Sequence, residues 1–208
     1  MTEPTGHRPS GPSLPGDQTG GSSSPEPPED PATLGPDADA EEVARKILLD
    51  QLTGQARSRA ELETKLAKRR VPEEVAQRLL DRFEEVGLVD DQAFARSWVQ
   101  SRQSGRGLAR RALRAELYAK GVDAEVAAEA VALVGDEDER AAARELVRRR
   151  MTGTRRLDRA TATRRLIGML ARKGYSGGLA AAVVREALDA RDLDQDDPLA
   201  AGEDVFLP

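Results

Sequence analysis

The sequence predicts an all-α protein of three tandem three-helix repeats in an elongated row, preceded by a disordered tail. Three observations carry this. Leu66, Leu117 and Leu170 stand 51 and 53 residues apart, each followed five residues later by Val71, Val122 or Tyr175 and then by Val75, Val126 or Leu179. Upstream, Ala44-Arg45-Lys46-Ile47-Leu48 returns as Ala95-Arg96-Ser97-Trp98-Val99 and as Ala143-Arg144-Glu145-Leu146-Val147. The composition, 38% hydrophobic with only 3% aromatic, suits a core of Leu, Val and Ala between helices and offers little from which to build strands.

Residues 1–40 are rich in Pro, Gly, Ser and acid and hold almost no large apolar side chain, so they cannot bury enough surface to offset chain entropy. Disorder is expected there. Repeat one is assigned to 41–87, repeat two to 88–135, repeat three to 136–190, and an acidic C-terminal tail to 191–208. Ser58 with Glu61 forms a capping box, Pro72 with Glu73 and Glu74 suits a first turn, and Asp123, Asp158 and Ser176 are N-cap candidates. Gly54, Gly87, Gly121, Gly135 and Gly174 lie near the expected stops. A fifty-residue unit buries little surface alone, so neighbours must stack.

The central stretch Gly87–Val122 shows the pattern most clearly. Asp90 and Asp91 open a helix, a Gly105-Arg106-Gly107 turn follows, and Gly121 closes a second helix. Phe94, Trp98, Ala109, Leu113 and Leu117 recur at three- and four-residue intervals, while Arg110, Arg111 and Arg114 are assigned to the opposite, outward face. Adjacent carboxylates on a helix point about 100° apart, so Asp90-Asp91 reads as capping rather than a catalytic pair. Trp98 and Tyr175 align with aliphatic residues of the other repeats and are assigned to the core. Tyr118 aligns with Ala67 and Ala171 and is the best aromatic candidate for an exposed contact, although a surface Tyr is common.

The net charge of −5 conceals segregation: residues 1–40 carry one Arg against seven acids, residues 191–208 one Arg against six, and the interior 30 basic against 24 acidic residues. A basic middle suits nucleic acid or an acidic protein surface; the acidic ends either compete for that middle or simply solvate it. Within the repeats, 57–70 hold six basic and two acidic residues, 96–120 seven and one, and 144–173 eleven and two, whereas 123–139 hold seven acids and no base. Helices one and two of each unit thus offer a basic surface and helix three an acidic one. Arg outnumbers Lys 27 to 5, which coding bias alone produces, so placement is the better guide. Arg106, Arg110 and Arg114 stand at successive i, i+4 positions, where like charges destabilise a helix, and Arg111 joins them. An anionic partner explains such a cluster; solvated arginines are the alternative.

Several classes fall away. With no cysteine there is no disulfide and no thiolate zinc site, and no apolar run approaches the roughly 18 residues of a membrane span. No secretory h-region is visible, so a soluble cytoplasmic protein is expected. The lone His7 sits in the tail without ligating or catalytic company, and no Gly-rich phosphate loop follows a strand. Neither an enzyme nor a cofactor is expected.

The run Arg57-Ser58-Arg59-Ala60-Glu61-Leu62-Glu63-Thr64-Lys65-Leu66, then Gly87-Leu88-Val89-Asp90-Asp91 with Phe94-Ala95 and Trp98-Val99, then Arg106-Gly107 and Glu116-Leu117-Tyr118-Ala119-Lys120-Gly121-Val122, resembles the RecX family of regulatory proteins over residues 41–190. The resemblance implies three tandem three-helix repeats that bind RecA filaments on single-stranded DNA and restrain the ATPase, strand-exchange and co-protease activities of RecA. Two positions depart from the family pattern: Arg70 stands where Gly closes the second helix of a unit, so that turn closes either differently or at a cost of about 1 kcal/mol, and Leu88 stands where an aromatic is common.

The expected function is regulation of RecA in recombination, DNA repair and the SOS response, by a monomer that contacts RecA and its filament, with direct contact to DNA as a further option and with no membrane. The alternative is a helix-turn-helix transcriptional regulator, since three short helices with a basic second helix mimic that motif. A pure scaffold of stacked helices is a third reading. The contact is assigned to Arg106, Arg110, Arg111, Arg114 and Tyr118 in the middle unit, Arg57, Arg59 and Lys65 in the first, and Arg148, Arg155 and Arg165 in the third.

Overall fold

The computed structural model of the chain describes residues 40–196. Among them are nine α-helices and no strand. The first unit holds α1 (Ala40–Gly54), α2 (Arg59–Lys68) and α3 (Glu73–Glu85); the second α4 (Asp91–Arg106), α5 (Arg110–Ala119) and α6 (Ala124–Ala132). The third holds α7 (Asp136–Met151), a 3₁₀ turn Thr152–Thr154, α8 (Arg159–Arg172) and α9 (Gly177–Asp196). The tail for which disorder is expected lies outside the described residues, apart from Ala40. α9 runs on to Asp196, past the Arg191 at which the charge pattern begins an acidic tail, and within it Asp189 and Asp192 pair with Arg159 of α8.

Each unit closes around its own leucines. Leu48, Leu62, Leu66, Leu80 and Phe83 fill the first core, and Phe94, Leu113, Leu117 and Val131 the second. Leu166, Leu170, Tyr175 and Leu188 fill the third, which also takes in Ala109 from the middle unit. Each fully buried leucine contributes about 2 kcal/mol of transfer free energy, so ten-residue helices that are marginal alone are held by these faces.

The helix starts follow the sequence. Asp90, Asp123 and Asp158 accept the first free N–H groups of α4, α6 and α8, and those bonds hold Asp123 and Asp158 below the usual carboxylate range. Ser58 accepts the Glu61 N–H at 3.3 Å, but Glu61 does not complete a capping box: its carboxylate goes to Lys120 of the next unit. The reciprocal bond yields to a charge-assisted one.

All three second helices end with the same pair of hydrogen bonds. Val71, Val122 and Tyr175 donate to Leu66, Leu117 and Leu170, while Arg70, Gly121 and Gly174 donate to Ala67, Tyr118 and Ala171. Each of the latter three residues is left-handed, at φ 60°, 74° and 91°. A Cβ at Gly121 would overlap that of Ala60, and one at Gly174 would lie 2.7 Å from the Ala112 backbone nitrogen. Glycine is needed there because the end of one unit's second helix meets the start of the preceding unit's. Among the described residues no unit stands before the first, so Arg70 closes its helix in the same manner as Gly121 and Gly174 and bears only the left-handed strain.

The two junctions repeat one another. The Ser58 hydroxyl donates to the Lys120 carbonyl at 2.6 Å, and at the equivalent place the Ala109 N–H donates to the Lys173 carbonyl at 3.0 Å. Lys120 Nζ reaches Glu61, and Lys173 Nζ reaches the Arg106 carbonyl. The second helices α2, α5 and α8 thus run head to tail, carbonyl ends against amide ends, an arrangement that helix dipoles favour.

Candidate partner and nucleic-acid surface

Arginine occupies the first turn of every second helix, and in each case it is clamped. Arg59 opens α2; its guanidinium reaches Asp81 and Glu84 of α3, both at 2.6 Å, and Gln77 at 2.8 Å, leaving the side chain 24% exposed. Its backbone N–H donates to Asp91 of the next unit at 2.8 Å. Arg110 opens α5 and pairs with Glu139 and Asp136 of α7, while its N–H also donates to Glu139. Arg159 opens α8 and pairs with Asp189 and Asp192 of α9. A cation opposes the positive end of a helix dipole, and facing acids remove that cost. At Arg59 burial pulls the pKa down, but the bonds to Asp81 and Glu84 outweigh it and raise it above the ordinary arginine value. The bond to Glu139, then that to Asp136, raises it at Arg110, and those to Asp189 and Asp192 raise it at Arg159.

Arg110, assigned to an outward face, and Arg59, assigned with it to the partner contact, are thus engaged within the molecule. Arg106 is likewise engaged: Gly107 at φ 58° ends α4, so Arg106 is not continuous with Arg110 and Arg114 on one helix, and it pairs with Glu116 at 3.3 Å. Arg148 pairs with Glu145 on its own helix at 2.8 Å, and Arg148 with Arg149 holds the Glu145 carboxyl down at about 2. The charge-repulsion argument for the cluster therefore fails for Arg106 and Arg110. Of the acids in 123–139, Asp136 and Glu139 lie on α7 and pair with Arg110, while Asp123 caps α6; on the third helices α3 and α9, Asp81, Glu84, Asp189 and Asp192 are counter-ions of Arg59 and Arg159.

What remains free is the body of the second helices. Arg111, Arg114 and Arg165 are exposed on α5 and α8 and make no ion pair among the described residues, as does Arg155 in the turn before α8. Tyr118 is 48% exposed. It borders a groove of about 520 Å³ at the junction of the first two units, together with Arg57, Lys65, Lys68 and Lys120. Arg57 is steadied there by a 3.2 Å bond from Nε to the Gln51 carbonyl. The core assignments also stand out: Tyr175 is 2% exposed, its hydroxyl donates to the Gly107 carbonyl at 3.1 Å, and burial pushes its pKa up to about 12. Trp98 is only partly buried, stacked on Phe94.

A second groove, about 380 Å³, lies in the third unit and was not anticipated as such. It is bordered by Arg150, Gly153, Thr154, Arg164, Arg165, Gly168, Met169 and Arg172. In the repeat frame Arg164, Gly168, Met169 and Arg172 stand where Ala60, Thr64, Lys65 and Lys68 border the first groove, and Arg150 stands where Gln51 does. The middle unit fills the same place with its own side chains. Glu116, at the position of Lys65 and Met169, accepts from Trp98 Nε1 at 3.0 Å and pairs with Arg102 and Arg106, both at 3.3 Å. Arg102 and Lys120 lie over the Trp98 ring at 4.0 and 4.7 Å. In the same frame Arg150 and Arg164 align with Arg102 and Arg111 of the middle unit, a match legible in the sequence, whereas Arg172 aligns with Lys68 and Ala119.

Three tandem three-helix units with clamped arginines at their joints and free ones along their second helices define a small all-α repeat protein whose basic surplus lies between its acidic ends. The comparisons narrow this. Family profiles described as the first, second and third three-helix domains of RecX match residues 44–83, 90–131 and 136–184. "Regulatory protein RecX" of Streptomyces coelicolor is 53% identical over 164 residues, covering 79% of this chain and 82% of its own, and that of Thermobifida fusca is 52% identical over 155 residues, covering 74% and 84%. The chain belongs to the RecX family of regulatory proteins. The crystal structure of RecX from Lactobacillus salivarius shares the fold with a TM-score of 0.66 at 20% identity, covering 71% of this chain and 96% of that one.

Proposed function

We propose that this chain binds RecA and its filament on single-stranded DNA and inhibits RecA activities in recombination, repair and the SOS response, acting as a monomer without catalysis of its own. The family supports the choice of partner, and the geometry supports the choice of surface. The observation that carries the reading is the groove where Tyr118 stands exposed among Arg57, Lys65, Lys68 and Lys120. It presents positive charge and an aromatic face together, as stacking and phosphate contacts require. The helix-turn-helix alternative is disfavoured because the first turns of α2 and α5 are covered by the following unit, whereas a recognition helix offers that turn to the bases. No helix among the described residues is long and apolar enough to cross a membrane.

The test is the single-stranded-DNA-dependent ATPase of RecA with and without the protein. Inhibition at substoichiometric concentrations, weakened by Tyr118→Ala, is the expected result. Unchanged RecA turnover at equimolar protein overturns the proposal, and turnover of ATP by the protein alone overturns the non-catalytic part.

A further inference from the structure

We propose that the groove of the third unit, between the end of α7 and the body of α8, is a binding site for the phosphodiester backbone of a single nucleic-acid strand, used independently of RecA. Four arginines, Arg150, Arg164, Arg165 and Arg172, border it, and no carboxylate does. None of the four is in an ion pair among the described residues, although Arg159 on the same helix is paired twice. Four uncompensated guanidiniums in one groove repel one another, and an anion inside it removes that repulsion. The two sites of the repeat that hold comparable charge show the alternatives: Glu116 neutralises the middle groove, and Lys120 in the first groove is neutralised by Glu61. Only the third has cations and no internal acid.

The groove is also shaped for a strand. Its volume is that of a small-molecule site, too small for a duplex but sufficient for a short run of backbone. Arg164 and Arg172 are eight residues apart on α8, so the charges extend about 12 Å along the helix axis instead of converging on one point. Gly153 and Gly168 leave the walls without side chains. The turn that presents Gly153 is fixed by the buried Thr154, whose hydroxyl donates to the Met151 carbonyl at 2.9 Å. Planar guanidiniums grip phosphate oxygens in pairs, and the one apolar contact on offer, Met169, is a poor match for a protein surface.

The experiment measures binding of a fluorescent thirty-nucleotide oligothymidylate across a salt series without RecA, for the full chain and two triple variants, R164A/R165A/R172A and R164K/R165K/R172K. Circular dichroism establishes that each variant folds. The alanine variant is expected to bind more weakly, with a slope of log K against log salt shallower by about 2, at roughly 0.7 per lost contact. The lysine variant is expected to keep the slope and lose part of the affinity. An alanine variant with wild-type affinity and slope overturns the proposal. So does one that keeps DNA binding but loses inhibition of RecA, which would make the groove a site for an acidic protein. If instead the variant loses strand binding while even the wild type fails to inhibit RecA, the groove assignment stands and the proposed function falls.

Discussion

The first turn and the body of each second helix carry the same residue type to opposite ends. Arg59, Arg110 and Arg159 at the first turn are tied to carboxylates from a packed neighbour, and the first two also hold a junction through their backbone N–H. Arg114, Arg165 and Arg172 farther along, and Arg111 beside Arg110 in the first turn of α5, are exposed and without ion pairs among the described residues. The difference is one of location in the stack. A first turn lies against the third helix or the next unit, where acids are within reach, whereas the helix body projects past both. Charge density alone therefore misidentifies the contact surface, because the clamped arginines contribute cohesion and the free ones contribute field.

The largest effect expected from breaking this division is at Arg110. Arg110→Ala leaves Glu139, whose side chain is only 13% exposed, without its counter-ion, and is expected to cost about 2 kcal/mol, seen as a lower denaturation midpoint. An unchanged midpoint would return Arg110 to the free class. Replacing Arg110, Arg111 and Arg114 together by Glu would mix the two classes and fold poorly, so the body residues are tested alone. Arg111→Glu with Arg114→Glu should move stability by no more than about 0.5 kcal/mol. It should also make the salt slope of strand binding or of RecA inhibition shallower by about 1.4.

Glu116→Gln sharpens the comparison from the other side, since it converts Arg102 and Arg106 from engaged to free. The salt slope should steepen by about 0.7 to 1.4, with a stability loss near 1 kcal/mol. A flatter slope contradicts the view that Glu116 is what closes the middle groove. The smallest effect is at Asp91, half-buried at the first junction, where burial raises its pKa against the opposing bond from the Arg59 N–H. A raised carboxyl favours the neutral form, so its contribution is fullest below the ordinary value of 3.8 and declines as pH rises through the folded value. The midpoint of the wild type should therefore gain on that of Asp91→Asn as pH falls from 7 toward 4; Asp123 and Asp158, held low by capping, act in the opposite sense in both proteins and cancel.

Much of the fold was legible because helices are local. The leucine frame, the aspartate caps and the glycines at 121 and 174 need only neighbours in sequence, and the positions of Leu62, Leu113 and Leu166 follow from a 3.6-residue period. Tyr118 was legible as exposed for the same reason: its counterparts are alanines. The arginines were not, because an ion pair such as Arg110 with Glu139 joins residues 29 apart, and helical wheels show the face a residue occupies but not what lies opposite.

By itself the sequence determined three similar helical units, their punctuation and the surplus of positive charge between the tails. Tertiary structure alone decided why glycine is needed at 121 and 174 but not at 70, since that depends on whether another unit's backbone comes within contact distance. It also decided which cations remain available. Desolvation and pairing depend on three-dimensional neighbours at about 3 Å, and the same stretch of helix is neutral where Glu116 turns inward and strongly positive where Arg165 and Arg172 have no acid to meet.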